Sequence, residues 1–201
     1  MTWIPSLSGR PIDLLRPRVE DVDFFTMATA LSQINRFTGQ TLSPVSVGQH
    51  LLIGCDIAPE ALRPWWLLHD APEERLNDTT APVKETISAL ATQMFGPEAA
   101  TIIKQIRDEL ERRHDLVIHQ AAGLPLPTEE QKREIKRIDL IALATERRDF
   151  AAPQKREWFI DKQGVQPSKR IYRWRPPVVV ADDLFERFRR YLPQLPSRIV
   201  A

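Results

Sequence analysis

The stretch Trp65-Trp66-Leu67-Leu68-His69-Asp70-Ala71-Pro72-Glu73-Glu74-Arg75-Leu76-Asn77-Asp78-Thr79-Thr80-Ala81-Pro82 decides the reading of this chain. Four apolar residues run straight into an imidazole, and carboxylates follow at Asp70, Glu73, Glu74 and Asp78. An apolar helical turn is buried, so it draws the acid-rich turn behind it toward the interior. Carboxylates crowded in this way raise one another's pKa unless a cation neutralises them. A divalent ion held by imidazole nitrogen and carboxylate oxygen is the economical resolution. Pro72 interrupts the helix, Asn77 to Thr80 is turn chemistry, and Pro82 suits the first turn of the next helix.

Outward from this stretch, helical periodicity recurs between proline-rich breaks. Val22, Phe25, Ala28 and Ile34 space a helix over Asp21–Ile34. Ser43-Pro44 or Ser46 opens a second helix carrying His50. A third runs from about Pro59 to Ala71. A fourth starts at Pro82 and ends at Phe95 before Gly96, and Pro97 begins another through Arg113. Thr128 and Gln131 form a capping-box pattern for a helix reaching Arg148. Residues 151–177 show little periodicity, Val178-Val179-Val180 reads as extended, and Asp182 or Asp183 caps a last helix through Tyr191. The expectation is a mostly helical bundle: one domain over 1–201, its core about 20–150, with an irregular basic segment 151–177 and a helix 182–191.

Composition narrows the classes. The 201 residues suffice for a real core. A hydrophobic share of 42% with 27% charged is globular rather than disordered. Net charge is +1, so the chain as a whole does not attract nucleic acid, and any pull on a phosphorylated partner is local. One cysteine, Cys55, excludes an intramolecular disulfide and reads as a small buried hydrophobe. No apolar run approaches the roughly 20 residues that span a bilayer. The N-terminus has no basic leader followed by an apolar block, so the chain reads as cytoplasmic, with no membrane partner.

Four histidines are present. His50 and Asp139 each fall among apolar neighbours on an expected helix, where an unpaired polar group is costly to bury, and both are candidates to join His69 and Asp70. Alone, His50 would be a satisfied core residue and Asp139 a partner of Lys136 or Arg137. His114-Asp115 repeats the dipeptide in a charged context, Glu109-Leu110-Glu111-Arg112-Arg113, with no acidic cluster after it. It and His119 read as surface or helix-end residues. Phe37, Trp65 and Trp66 are most simply core residues. Residues 147–175 hold nine Lys or Arg against three Asp or Glu, interleaved with Trp158, Tyr172 and Trp174. This is read as a solvated loop or subunit contact rather than a nucleic-acid surface, and alternatively as a lid that attracts nucleotide phosphates.

The ordered set His50, His69-Asp70 and Asp139 resembles the H…HD…D signature of HD-domain metal-dependent phosphohydrolases. Residues 69–84 are similar to the HDAxE…D…PxK stretch of the small bacterial and prophage 5′-deoxynucleotidase branch, and the likeness covers about residues 20–150. The resemblance implies an all-α, HD-domain helical bundle and one divalent ion (Mn, Co, Mg, Fe or Zn) held by His50, His69, Asp70 and Asp139. It implies that Arg36 binds the substrate phosphate beside Phe37, that Glu73 orients or protonates at the phosphate, that Asp78 activates the attacking water, and that Lys84 contacts substrate. A nucleotide substrate and a homodimer are implied as partners. Phe37 stands where that branch commonly has Trp, Gln49 where an acidic residue often precedes the first histidine, and Pro72 where a small residue is usual. Glu73-Glu74 also resembles the acidic pair of alarmone hydrolases. A triphosphohydrolase, or a non-catalytic nucleotide-binding module, is a further alternative.

Overall fold

The computed structural model describes residues 2–195. The chain is mostly helical, as expected of an all-α fold, with one small antiparallel hairpin, β1 (Trp3–Pro5) and β2 (Pro11–Asp13). No described helix is long and apolar enough to cross a membrane.

The bundle is organised around α2 (Val47–Ile57). Every residue from Val47 to Cys55 is buried, so α2 is a central helix wrapped by others rather than an amphipathic surface one. Ser46 opens it, its hydroxyl accepting from the Gln49 N–H. α1 (Phe24–Gln33) starts at Asp23, whose carboxylate accepts from the amides of Phe25 and Thr26. Its Phe24, Met27, Ala28 and Leu31 recur at helical spacing and face the core. α3 (Arg63–Leu68) and the single turn α4 (Glu73–Leu76) bracket the His69-Asp70 break. α5 (Ala81–Phe95) and α6 (Glu98–Ala122) form an antiparallel hairpin turned at Gly96, whose φ of 94° a side chain would resist. α7 (Glu129–Phe150) begins with the Thr128–Gln131 capping box, both hydrogen bonds present.

Several expectations are corrected. The third helix ends at Leu68, short of Ala71, so His69 and Asp70 lie on a turn rather than within a helix. α6 continues nine residues past Arg113 (122 − 113), because His114, Ile118 and Ala122 carry its buried face onward. Residues 151–176 are irregular apart from a single turn, α8 (Phe159–Lys162). The last helix, α9 (Pro177–Tyr191), starts before the expected Asp182 or Asp183 and absorbs Val178-Val179-Val180, which is not extended. Pro177 supplies a preset φ at N1, and Val180, Ala181, Leu184 and Phe188 bury the stripe that packs on α1. Phe24 meets Phe188 edge-on at 5.6 Å.

Candidate metal centre

His50 sits in the buried middle of α2, with no exposed surface. Its Nδ1 lies 2.7 Å from Oε1 of Glu146, a fully buried carboxylate on α7. The carboxylate can only accept when ionised, so Nδ1 carries the proton and Nε2 is left with its lone pair free. His69 is fixed the same way. Its Nδ1 lies 2.7 Å from the Trp66 carbonyl oxygen, which only accepts. Burial keeps the His69 imidazole below its ordinary pKa and hence neutral.

Trp66 is the platform for both rings. It packs against His69 at 4.1 Å and His50 at 5.3 Å, and its indole N–H donates to the Leu51 carbonyl. The indole fits because residue 54 is glycine: a Cβ there would lie 1.8 Å from Trp66 Cζ2. Sequence, packing and site are thus joined in one column, Gly54–Trp66–His69.

The two free Nε2 atoms converge on carboxylates. His50 Nε2 lies 3.5 Å from Asp70 Oδ2 and 3.5 Å from Asp139 Oδ1, and His69 Nε2 lies 3.3 Å from Asp70 Oδ1. Both Nε2 atoms are buried without a hydrogen-bond partner. Orphaned buried acceptors are rare, and two aimed at one point call for a cation. Ligand atoms about 2.0–2.2 Å from a first-row ion stand roughly 3.0–3.5 Å apart, matching this spacing. Ligand atoms of His50, His69 and Asp139 all lie within 4.8 Å of one another, so this group can hold a metal ion. Asp70 adds a carboxylate against both imidazoles. Burial alone would raise the Asp139 pKa, but His50, His69 and Lys136, whose ammonium is 2.7 Å away, hold it well below the carboxylate range. The Lys136 pairing anticipated for Asp139 is therefore present alongside the cluster.

Arg36 follows α1, and its side chain turns inward instead of merely capping the helix. Nε donates to Glu146 Oε2 at 3.1 Å, and Nη1 lies 3.6 Å from Asp70 Oδ2. Phe37 and Thr38, at φ 55° and 51°, hold left-handed backbone directly behind it, and Asn77 does so at 66° between Glu73 and Asp78. Such strain persists only where surrounding structure over-determines it. Phe37 is partly buried and lies against Trp158 at 6.0 Å.

Burial, then the carboxylates of Asp70 and Asp78, push the Glu73 pKa to about 9, and burial likewise raises Asp78. Arg36 and Lys84 oppose the rise at Glu73. Beside the cluster a cavity of about 340 Å³ is lined by Trp65, His69, Asp70, Asp115, Lys132 and Asp139. Burial and Glu111 push Asp115 to about 7.

Glu146 is the residue sequence reasoning missed. It stands seven residues after Asp139, two turns along the same face of α7, and that spacing was the available signal. Of His114 and His119, expected as surface or helix-end residues, His119 does lie in the last turn of α6, but both are buried; their rings bond the carbonyls of Leu14 and Pro125. Neither belongs to the group His50, His69 and Asp139, although His119 lines the cavity beside it. Cys55 is buried and free, as expected. In the basic segment, Arg147 pairs with Asp161, Arg170 with Asp56 and Arg175 with Asp183, so much of its charge is spent within the chain.

Fold and cluster define an all-α protein with a buried His–Asp group able to hold a metal ion. The chain belongs to the family of the uncharacterized protein YfdR of Escherichia coli (strain K12), with 30% identity over 158 residues, 79% of this chain and 78% of that protein. It is also similar to the uncharacterized protein RCAP_rcc00048 of Rhodobacter capsulatus, 32% identical over 160 residues, 74% of this chain and 73% of that protein. No family model matches the chain.

Proposed function

We propose that the protein is an HD-type, metal-dependent phosphohydrolase that removes phosphate from nucleoside 5′-monophosphates, deoxynucleotides above all. The observation that carries this reading is the pair of buried, unpartnered Nε2 atoms of His50 and His69 facing Asp70 and Asp139, with the Arg36 guanidinium alongside. These four ligands would hold one divalent ion, and the donor set accepts Mn, Co, Mg, Fe or Zn. When bound, that ion supplies Lewis acidity, lowering the pKa of a water and offsetting charge on the phosphoryl group.

The chain's own residues do the rest. Arg36 offers its fork to the phosphate oxygens, and Glu146 keeps it aimed. Glu73, protonated at neutral pH, holds a proton for the leaving 5′ oxygen. Asp78 takes the proton of the attacking water. Phe37 closes the site behind Arg36, Lys84 balances the carboxylates, and the cavity beside Trp65 is within the size range of small-molecule sites.

A homodimer is part of the proposal. On α5, Lys84, Ser88 and Ala91 turn inward, and on α6 Ile103, Arg107 and Leu110 do so. In an antiparallel pair the position before each inward residue lies on one common side. Those positions are Val83, Ile87, Leu90, Ile102 and Ile106, all exposed, and Glu109, which pairs with Arg112 and Arg113 at one end of the face; Met94 continues the apolar series. With Phe95 the apolar members present on the order of 700 Å² of apolar surface, near the ~800 Å² per partner of a standard interface and beyond the patch of most monomers.

The test is a panel of nucleoside mono-, di- and triphosphates with Mn²⁺ or Co²⁺, products identified, and His69→Ala as control. Inorganic phosphate from 5′-monophosphates is expected. Pyrophosphate would mean an alarmone hydrolase and tripolyphosphate a triphosphohydrolase. No turnover of any nucleotide with any metal would leave a non-catalytic binding module.

A further inference from the structure

A second, smaller cavity adjoins the cluster. Arg107, on the inward face of α6, has its Nε and Nη1 buried with no hydrogen-bond partner, and it forms no ion pair among the described residues. Arg75 also has one buried orphan nitrogen, but its Nε reaches Glu74 and its Nη2 the Asp21 carbonyl. Arg107 leaves two such nitrogens, Nε and Nη1, without a partner. A buried guanidinium is ordinarily paired, because desolvating the charge is costly unless an anion or acceptor returns the energy.

Arg107 lines a cavity of about 140 Å³ together with Glu73, Asn77, Thr79, Lys84 and Glu111. The Lys84 ammonium also forms no ion pair among the described residues. Glu73 and Glu111 border the same space yet neither pairs with either cation. A liquid water occupies about 30 Å³, so the cavity has room for a tetrahedral anion. Two cations from two helices, neither in an ion pair among the described residues, together with the Asn77 amide and the Thr79 hydroxyl, form a donor set for phosphate oxygens. This space shares Glu111 with the larger cavity and meets the cluster across Glu73.

We propose that Arg107 and Lys84 form a second phosphate subsite, which holds a phosphate group other than the one hydrolysed. The inference rests on the phosphohydrolase reading for its role, though its binding step does not need turnover. The shared chemistry is a phosphate dianion, carried either as a second phosphate on the nucleotide or as free inorganic phosphate.

Two arms test it on the full chain. In EDTA, calorimetric titration with inorganic phosphate should show binding that Arg107→Gln and Lys84→Gln each weaken about 10- to 100-fold. Arg107→Lys should retain part of it, and unchanged near-ultraviolet dichroism would confirm folding. Phosphate binding unaffected by both Gln variants overturns the subsite. With Mn²⁺, a phosphate carried on the substrate predicts a higher kcat/KM for a nucleoside 3′,5′-bisphosphate than for the 5′-monophosphate, in a ratio that Arg107→Gln collapses. Free phosphate instead predicts that added phosphate changes the monophosphate rate in wild type but not in Arg107→Gln. Neither effect in an active enzyme overturns the proposal. No turnover at all sinks the hydrolase reading while the calorimetric arm still decides the subsite.

Discussion

Replacing Glu146 with Gln perturbs the site without changing its shape. Glu146 is fully buried and accepts from both His50 Nδ1 at 2.7 Å and Arg36 Nε at 3.1 Å. An amide has one accepting oxygen, so one of the two donors must face its NH₂ group. If that is His50, the imidazole must move its proton to Nε2 and can no longer ligate. If it is Arg36, a buried cation loses its better partner and keeps only Asp70 at 3.6 Å. Partners that orient a ligating imidazole are worth about 10- to 100-fold in metal affinity, or about 1.4–2.7 kcal/mol. Breaking one side of a buried ion pair costs about 3–5 kcal/mol, and the surviving Asp70 contact places Arg36 at or below the lower end. At about 2–4 °C per kcal/mol for a chain of this size, the loss at Arg36 should lower metal-free Tm by at most roughly 6–12 °C. Calorimetric unfolding in EDTA reads the second quantity, and competitive Zn²⁺ titration reads the first. Wild-type zinc affinity together with wild-type metal-free Tm in a folded Glu146→Gln would refute the reasoning that Glu146 must serve both donors.

Three further outcomes follow from the same structure. Gly54→Ala should cost about 1–3 kcal/mol in urea unfolding, because the new Cβ displaces Trp66, and it should weaken metal binding through His69. Burial holds His114 and His119 below the ordinary histidine pKa, so the folded chain binds fewer protons than the unfolded one. Their stabilisation is full above about pH 6.5 and is lost as pH falls below it, and His114→Gln, which can still donate to the Leu14 carbonyl, should flatten that slope in urea titrations. Ile87→Glu with Ile106→Glu should convert a dimer to monomer by sedimentation velocity, whereas unchanged mass would remove the α5–α6 face as the interface.

Local signals were legible where chemistry is local. Asp23, Ser46 and the Thr128–Gln131 box start helices through hydrogen bonds within three residues, and their positions are readable from spacing. The start of α9 was not, because a β-branched run after Pro176-Pro177 suits a strand locally, and only packing of Val180, Leu184 and Phe188 on α1 decides it. The burial of His114 and His119 was illegible for the same reason. Charged neighbours marked the solvent face of α6, while ring nitrogens bond the carbonyls of Leu14, 100 positions away, and Pro125, beyond the helix end. His50, His69-Asp70 and Asp139 were legible as a set because each sits among apolar residues. Glu146 was hidden by Arg147-Arg148, which made its turn look solvated, although its partners His50 and Arg36 lie 96 and 110 positions away.

In the proposed function His50, His69, Asp70 and Asp139 hold one divalent ion. Titration of metal-stripped protein with Co²⁺, followed by its visible d–d absorption, tests it most directly. The account predicts saturation at one ion per chain, with the bands lost in His69→Ala and in Asp139→Ala. A folded wild-type chain that binds no Co²⁺, or a His69→Ala variant that binds it with the same stoichiometry and spectrum, would contradict it.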